Sequence, residues 1–174
     1  GMLVTRSAEL AARAKVMRLH GINRDAFDRF TAKVPSWYYE IVAPGFKYNL
    51  TDIAAAIGIQ QLRRAEDFGE IRARLAARYD AAFSNLALTL PPHAASGDLH
   101  AWHLYVVRLT RSAALKRDAF INAMQEAGIG CSVHYRPLHR MTVWAEPARA
   151  RGHGFAGADQ VFETCVTLPL FMDM

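Results

Sequence analysis

The stretch Ala43-Pro-Gly-Phe-Lys-Tyr-Asn-Leu-Thr-Asp-Ile-Ala-Ala-Ala-Ile-Gly58 joins a turn to the strongest helix in the chain. Pro44-Gly45 marks the turn. Thr51 is a natural N-cap, and Asp52 puts a negative charge where the helix dipole favours it. Beyond the cap, Ile53, Ile57, Phe68, Ile71, Leu75, Tyr79 and Phe83 keep the three-to-four spacing of one helical face. Glu70 and Arg74, four apart, can pair on its surface. One helix over 51–83 is long for a globular protein, and a break near Gly69 would make it two. Lys47 and Asn49 stand just ahead of this helix, whose first N–H groups point outward and whose dipole favours anions. They suit a phosphate group; the same residues also read as an ordinary turn with a solvated lysine.

Outward from this stretch, Met2–Thr5 reads as a short strand. Ser7 caps a helix running to about His20, with Glu9 in its first turn and Gly21 as its stop. Residues 22–50 show no clear periodicity, which in a compact domain marks a functional or interfacial loop. Downstream, the pattern predicts a strand at Leu86–Leu90 ended by Pro91-Pro92, and a second at His100–Leu109. A helix over 113–127 is closed by Gly128. A strand follows at Gly130–Tyr135, then a polar loop from Arg136-Pro137, a helix over 158–165 and a last strand at Val166–Phe171. Strand–strand–helix–strand–helix–strand behind long helices is an α/β protein, more narrowly an α+β sandwich. The expected partition is 1–50 and 51–174.

At 174 residues and 52% hydrophobic, the chain can bury roughly 70% of its extended surface, enough for a core without staples. Disordered, collagen-like and coiled-coil classes do not fit this composition. No apolar run approaches the ~20 residues of a membrane helix, and no charged start leads into an apolar run. A membrane partner is not expected. Gly1 before Met2 reads as an added residue, and the apolar segments at both ends suggest part of a larger architecture. Cys131 and Cys165 are too few for a disulfide scaffold and read as buried thiols in a reducing cytoplasm. In an extended strand Cys131 and His134 would face opposite ways, and so would His100 and His103, so neither pair makes a dyad or a chelate. His134 and His139 straddle Pro137 and could converge, but no zinc-like spacing is present and no metal is expected. His134, leading into a Pro-containing loop, suits an acid/base or substrate contact and equally a structural histidine. Seventeen Arg and four Lys give a net charge of +5. On the long helix, however, arginines alternate with acids, the mark of a solvated face, so no nucleic-acid partner is expected. No Walker loop, G-x-G-x-x-G or G-x-S-x-G motif occurs.

The Ala43–Gly58 stretch closely resembles a signature of the DegT/DnrJ/StrS-type sugar aminotransferases, fold-type I enzymes that use pyridoxal 5′-phosphate (PLP). Gly1-Met-Leu-Val-Thr is similar to the strand after that family's lysine loop, and Leu19-His-Gly to the following helix end. His100-Ala-Trp-His-Leu-Tyr-Val-Val-Arg, Gly128-Ile-Gly-Cys-Ser-Val-His-Tyr and Leu168-Pro-Leu-Phe are similar to its C-terminal small domain. Lys47-Tyr48-Asn49 and the His-Ala-Trp-His run look most like the UDP-4-amino-4-deoxy-L-arabinose–oxoglutarate aminotransferase branch. The resemblance implies a homodimer acting on a nucleotide-linked 4-keto sugar with glutamate as amino donor, giving 2-oxoglutarate. The product would serve cell-surface polysaccharide or lipopolysaccharide modification.

The resemblance also implies residue roles. The segment Lys47-Tyr48-Asn49 would reach the neighbouring subunit's cofactor phosphate, with Asn49 the best-matched contact. His134, with Tyr135 beside it, would lie near the substrate, as would His20 and the 22–42 loop. The family's Schiff-base lysine, its cofactor-stacking aromatic and its pyridinium-pairing aspartate would all precede residue 1. Its final helix would follow residue 174. No residue of this chain is then expected to be catalytic. Residues 1–50 would be a remnant of the large domain. Residues 51–174 would be a long helix plus the small α/β domain, truncated at its end. The alternative is a non-catalytic dimerisation module.

Overall fold

The computed structural model describes residues 2–23, 39–151 and 154–174. They fall into two compact units, Gly1–Leu62 and Arg63–Met174. The division lies within the segment read as one long helix, whereas the expected partition at 50/51 kept that helix whole.

In the first unit, α1 spans Ala8–Met17 and α2 spans Asp52–Arg63. The Ser7 hydroxyl accepts from Leu10 N at 3.2 Å and caps α1, with Glu9 in the first turn. Ala54 N donates to Thr51 Oγ1 at 3.3 Å, so Thr51 caps α2 as its position dictates. Met2–Thr5 is not a strand: Met2, Leu3 and Val4 are exposed and pair with no described segment, and a strand without a ladder partner does not persist. Most of the loop expected over 22–42 lies outside the described residues.

The second unit begins with α3, Ala65–Phe83. The break in the long helix falls at Arg64, not near Gly69. Arg64 leaves the helical region at φ −99°, ψ 2°, and its guanidinium lies 4.6 Å over the Phe68 ring. Gly69 sits inside α3 with open space where a side chain would be. A surface glycine costs a helix only about 0.5–1 kcal/mol, which nineteen residues absorb.

Three strands follow: β1 at Leu88–Thr89, β2 at Tyr105–Leu109 and β3 at Cys165–Leu168. They form one antiparallel sheet in the order β1-β2-β3, with Leu88 opposite Leu109 and Tyr105 opposite Leu168. The helices are α4 at Arg117–Glu126, α5 at Thr142–Ala150 and α6 at Ala156–Thr164, with a short 3-10 turn at Leu138–Arg140. Tyr105, Val107 and Leu109 turn alternate side chains of β2 into the core, whereas β3 is buried throughout. Ala76, Trp102, Tyr105, Val107, Val166 and Leu168 form its centre, with Tyr79, Phe120 and Met124 packed around them. Tyr79 donates to Pro169 O at 2.9 Å and Tyr105 donates to Asp80 at 2.6 Å, so the half-buried and the buried phenol are both satisfied. Burial, joined by the Asp80 carboxylate, pushes the Tyr105 hydroxyl far above the usual tyrosine range.

Three sequence expectations change here. The His100–Leu109 strand begins only at Tyr105, because Trp102 takes a left-handed conformation (φ 45°) and accepts burial against His100, with Trp102 N donating to His100 Nδ1 at 2.9 Å. The Gly130–Tyr135 strand shrinks to a single bridge between Ser132 and Thr167. Helix α5 lies in the segment read as polar loop. That reading rested on Arg136-Pro137 and the polar run after it; Pro147 sits inside the helix, although proline removes one helical hydrogen bond and clashes with the preceding turn.

Candidate functional site

Within the first unit, the end of α1 and the run 41–48 lie side by side. Leu19 and Lys47 form an antiparallel bridge, as do Ile22 and Ile41. Phe46 N donates to Met17 O at 2.7 Å, Tyr48 N to Arg18 O at 2.8 Å, and His20 N to Phe46 O at 2.9 Å. Two glycines make this approach possible. Gly21 has φ 73°, and a Cβ there would stand 1.8 Å from Ala43 O. A Cβ at Gly45 would stand 2.1 Å from Gly21 N. Only backbone fits between them. His20 is also left-handed (φ 58°), so the turn holds two consecutive positive-φ residues.

This packing brings His20 and Lys47-Tyr48-Asn49 into one locality, directly ahead of the capped N-terminus of α2. All four side chains are exposed. Phe46 and Tyr48 stack at 5.1 Å, the two-residue repeat of an extended run. By that alternation Lys47 and Asn49 take the other side. Among the described residues neither has a hydrogen-bond or ion-pair partner. A lysine ammonium, a carboxamide and the outward N–H groups of a helix start are a donor set suited to a phosphate, with Asp52 the one acid in the first turn of α2.

In the second unit, His134 is half-buried, and its Nδ1 lies 2.8 Å from Thr167 Oγ1. Tyr135 is exposed and meets the His134 ring edge-on at 4.7 Å. His134 and His139 do not converge. The His139 Nε2 lies 2.8 Å from Asp159 Oδ1, and Arg140 joins the same carboxylate and Glu163. The hydrogen bond from His139, followed by those from Arg140, holds the Asp159 carboxyl below the usual carboxylate range. This cluster clasps the 3-10 turn to α6 and reads as structural. His100 and His103 precede β2 rather than sharing it, so the strand geometry used to separate them does not apply. The thiols of Cys131 and Cys165 are both pushed up by burial, which leaves them protonated and weakly nucleophilic. Among the described residues no three His, Cys, Asp or Glu side chains could hold one metal ion, and no helix is long and apolar enough to cross a membrane. A cavity of about 440 Å³ beside the sheet, bounded by Phe83, Leu88, Leu109, Leu115, Phe120 and Met124, has almost no polar lining.

Sequence reasoning missed Thr167 as a partner of His134, and it named Gly21 and Gly45 as a helix stop and a turn without their packing role. Thr167 meets His134 through a bridge between segments 35 residues apart, which no local pattern announces. Pro44-Gly45 signalled a turn but not what it packs against.

All 174 residues match one family throughout. The chain belongs to the DegT/DnrJ/EryC1/StrS aminotransferase family. It is 39% identical over 176 aligned residues to the uncharacterized protein MJ1066 of Methanocaldococcus jannaschii, and 35% identical over 176 to the spore coat polysaccharide biosynthesis protein SpsC of Bacillus subtilis. Each match takes in 100% of this chain and 45% of the relative, so the chain spans just under half their length. Among solved structures, the candidate sugar aminotransferase Spr1654 of Streptococcus pneumoniae, in its PMP form, matches 95% of this chain at 30% identity with a TM-score of 0.79. The match takes in 41% of that protein. The α/β architecture expected for the small domain of a fold-type I transferase, with long leading helices, is therefore part of a known aminotransferase fold.

Proposed function

We propose that residues 1–174 are the C-terminal portion of a PLP-dependent aminotransferase that moves an amino group from glutamate to a nucleotide-linked 4-keto sugar. The proposed product is of the UDP-4-amino-4-deoxy-L-arabinose type, and the proposed setting is cytoplasmic cell-surface polysaccharide or lipopolysaccharide synthesis. The observation that carries this reading is the backbone-held run 43–48. It leaves Lys47, Tyr48 and Asn49 exposed, with Lys47 and Asn49 unpartnered among the described residues, ahead of a helix N-terminus.

PLP, when bound, supplies the electron sink for amino transfer. The role proposed for this chain is to hold the phosphate end: Asn49 donates its amide hydrogens, Lys47 adds charge, and Tyr48 braces the run from its other side by stacking on Phe46. His134 and Tyr135 contact the nucleotide sugar, and His20 lines its approach. The partner is a second copy. Helix α2 has no buried residue, and Ile53, Ile57 and Leu62 are 78%, 59% and 67% exposed, an apolar surface that suits a subunit interface.

The reading is tested in the enzyme that carries this segment with its large domain, given glutamate and the UDP-linked 4-keto pentose. Formation of the amino sugar with an equal amount of 2-oxoglutarate is expected. No amino transfer to any nucleotide-linked 4-keto sugar would overturn it in favour of a dimerisation module.

A second expectation concerns the 174 residues alone. Of their four lysines none matches the Schiff-base position, so purified chain mixed with PLP and borohydride should yield no stoichiometric lysine adduct by peptide mass mapping. A full-occupancy adduct on Lys47 would show that Lys47 is a nucleophile instead.

A further inference from the structure

Strand β3 is buried along its length, yet it carries one polar residue, Thr167, at 5% exposure. Thr167 sits between two partners. On one side it is opposite Val106 of β2; on the other it bridges Ser132, with Thr167 N donating to Ser132 O at 2.7 Å and Ser132 N donating to Thr167 O at 3.1 Å. That reciprocal pair fixes the backbone two residues before His134. The diagonal neighbour across an antiparallel bridge is then within side-chain reach, and His134 Nδ1 lies 2.8 Å from Thr167 Oγ1.

A buried hydroxyl must place its proton on an acceptor. Among the described residues, the one side-chain partner of Thr167 Oγ1 is His134 Nδ1. We infer that Thr167 is a positioning residue for His134: its hydroxyl donates to Nδ1, fixes the ring as the Nε2–H tautomer, and makes His134 a hydrogen-bond donor toward an oxygen acceptor of the nucleotide-sugar ligand. The inference rests on the reading of His134 as a substrate contact. The other nitrogen is the one left over for a ligand, since no described residue bonds it. The edge of Tyr135 against the ring is a second restraint on its rotation. A neutral N–H at that position would select a carbonyl, hydroxyl or phosphoryl oxygen and would be a poor partner for an ammonium or an amide N–H.

The test is ¹⁵N imidazole spectroscopy of the 174-residue chain at a pH where histidine is neutral, with His134→Gln used to assign the resonances. In the wild type and in Thr167→Ser, Nδ1 should appear as a non-protonated, hydrogen-bonded nitrogen and Nε2 as the protonated one. In Thr167→Val, which keeps the branched shape but lacks the hydroxyl, the Nδ1 resonance should move to its unbonded position. The amide spectrum of the β2–β3 ladder should be unchanged. A proton found on Nδ1 in the wild type would overturn the inference, and so would an Nδ1 resonance that ignores Thr167→Val. Thr167→Val collapse of the ladder spectrum moves the decision to Thr167→Ser, whose Nδ1 must then match the wild type. The readout uses no ligand, so it can fail while the substrate role of His134 stands. Loss of that role, read as a His134→Gln enzyme with unchanged KM for the sugar, would leave the tautomer result intact.

Discussion

Gly21→Ala is expected to release the run that carries Lys47, Tyr48 and Asn49 while leaving the second unit folded. At φ 73° an alanine carries about 1–2 kcal/mol of left-handed strain before any contact is considered. Its Cβ would also stand 1.8 Å from Ala43 O, which is backbone and cannot rotate away. The two segments must therefore separate, and the bond from Val42 N to Gly21 O, 2.8 Å long, is lost with its neighbours. Each such bond is worth roughly 1 kcal/mol net, so the sum reaches roughly 3 kcal/mol or more. Amide hydrogen exchange reads this directly. Protection at Val42, Phe46 and Tyr48 should fall about 100-fold or further, while the β2–β3 ladder keeps its rates. Gly58→Ala is the matched control. Gly58 lies inside α2 with nothing within reach of a Cβ, so alanine there should leave α2 unchanged or steadier by about 0.5–1 kcal/mol. Equal exchange in both variants would mean that the close approach of Gly21 to Ala43 does not hold the run in place.

Asn49→Ala, in the complete enzyme, is expected to loosen the cofactor without disturbing the fold. An amide bonded to a charged phosphate contributes about 1.5–3 kcal/mol, which corresponds to roughly 10- to 150-fold weaker PLP retention. Thr51 still caps α2 in the variant, and the Asn49 side chain supports nothing else among the described residues. Because the contact is proposed to cross between subunits, a mixed dimer separates the possibilities. One chain carries Asn49→Ala and the other lacks its Schiff-base lysine. If Asn49 acts on the partner's cofactor, the chain with the intact lysine receives its Asn49 from the lysine-less chain, where it is normal, and the split dimer recovers one fully competent site. Placing both defects on one chain should instead set the intact lysine against Asn49→Ala and hold activity at that variant's low level. Low activity of the split dimer would place Asn49 in its own subunit's site.

What could be read before folding was whatever is local. Thr51 and Ser7 cap the helices that their positions announce, and α4, α6 and β3 form within a few residues of their expected bounds. Lys47 and Asn49 stood out because a helix start advertises its own anion preference. What failed depended on distant partners or on competing local signals. Met2–Val4 has strand-forming residues but no described ladder to join. The Ser132 segment pairs through one bridge only, and its neighbour lies 35 residues on. Trp102 shows a tertiary preference overriding a propensity. Its indole is buried against His100 and Tyr105, and the left-handed backbone that achieves this delays the start of the strand from His100 to Tyr105. The polar run after Arg136-Pro137 hid α5, a nine-residue helix that holds Pro147 past its first turn.

The run 43–48 is fastened by main-chain groups of Met17, Arg18, His20, Gly21, Val42, Phe46 and Tyr48, and by two positions where no side chain fits. That fastening is nearly indifferent to which side chains ride on it. Residues 47, 48 and 49 can therefore be exchanged in the course of evolution at little cost to the turn, whereas 21 and 45 cannot. Divergent members of a lineage built on this turn would be free to retune what they grip by rewriting three letters, with the two glycines standing as the invariant hardware beneath them.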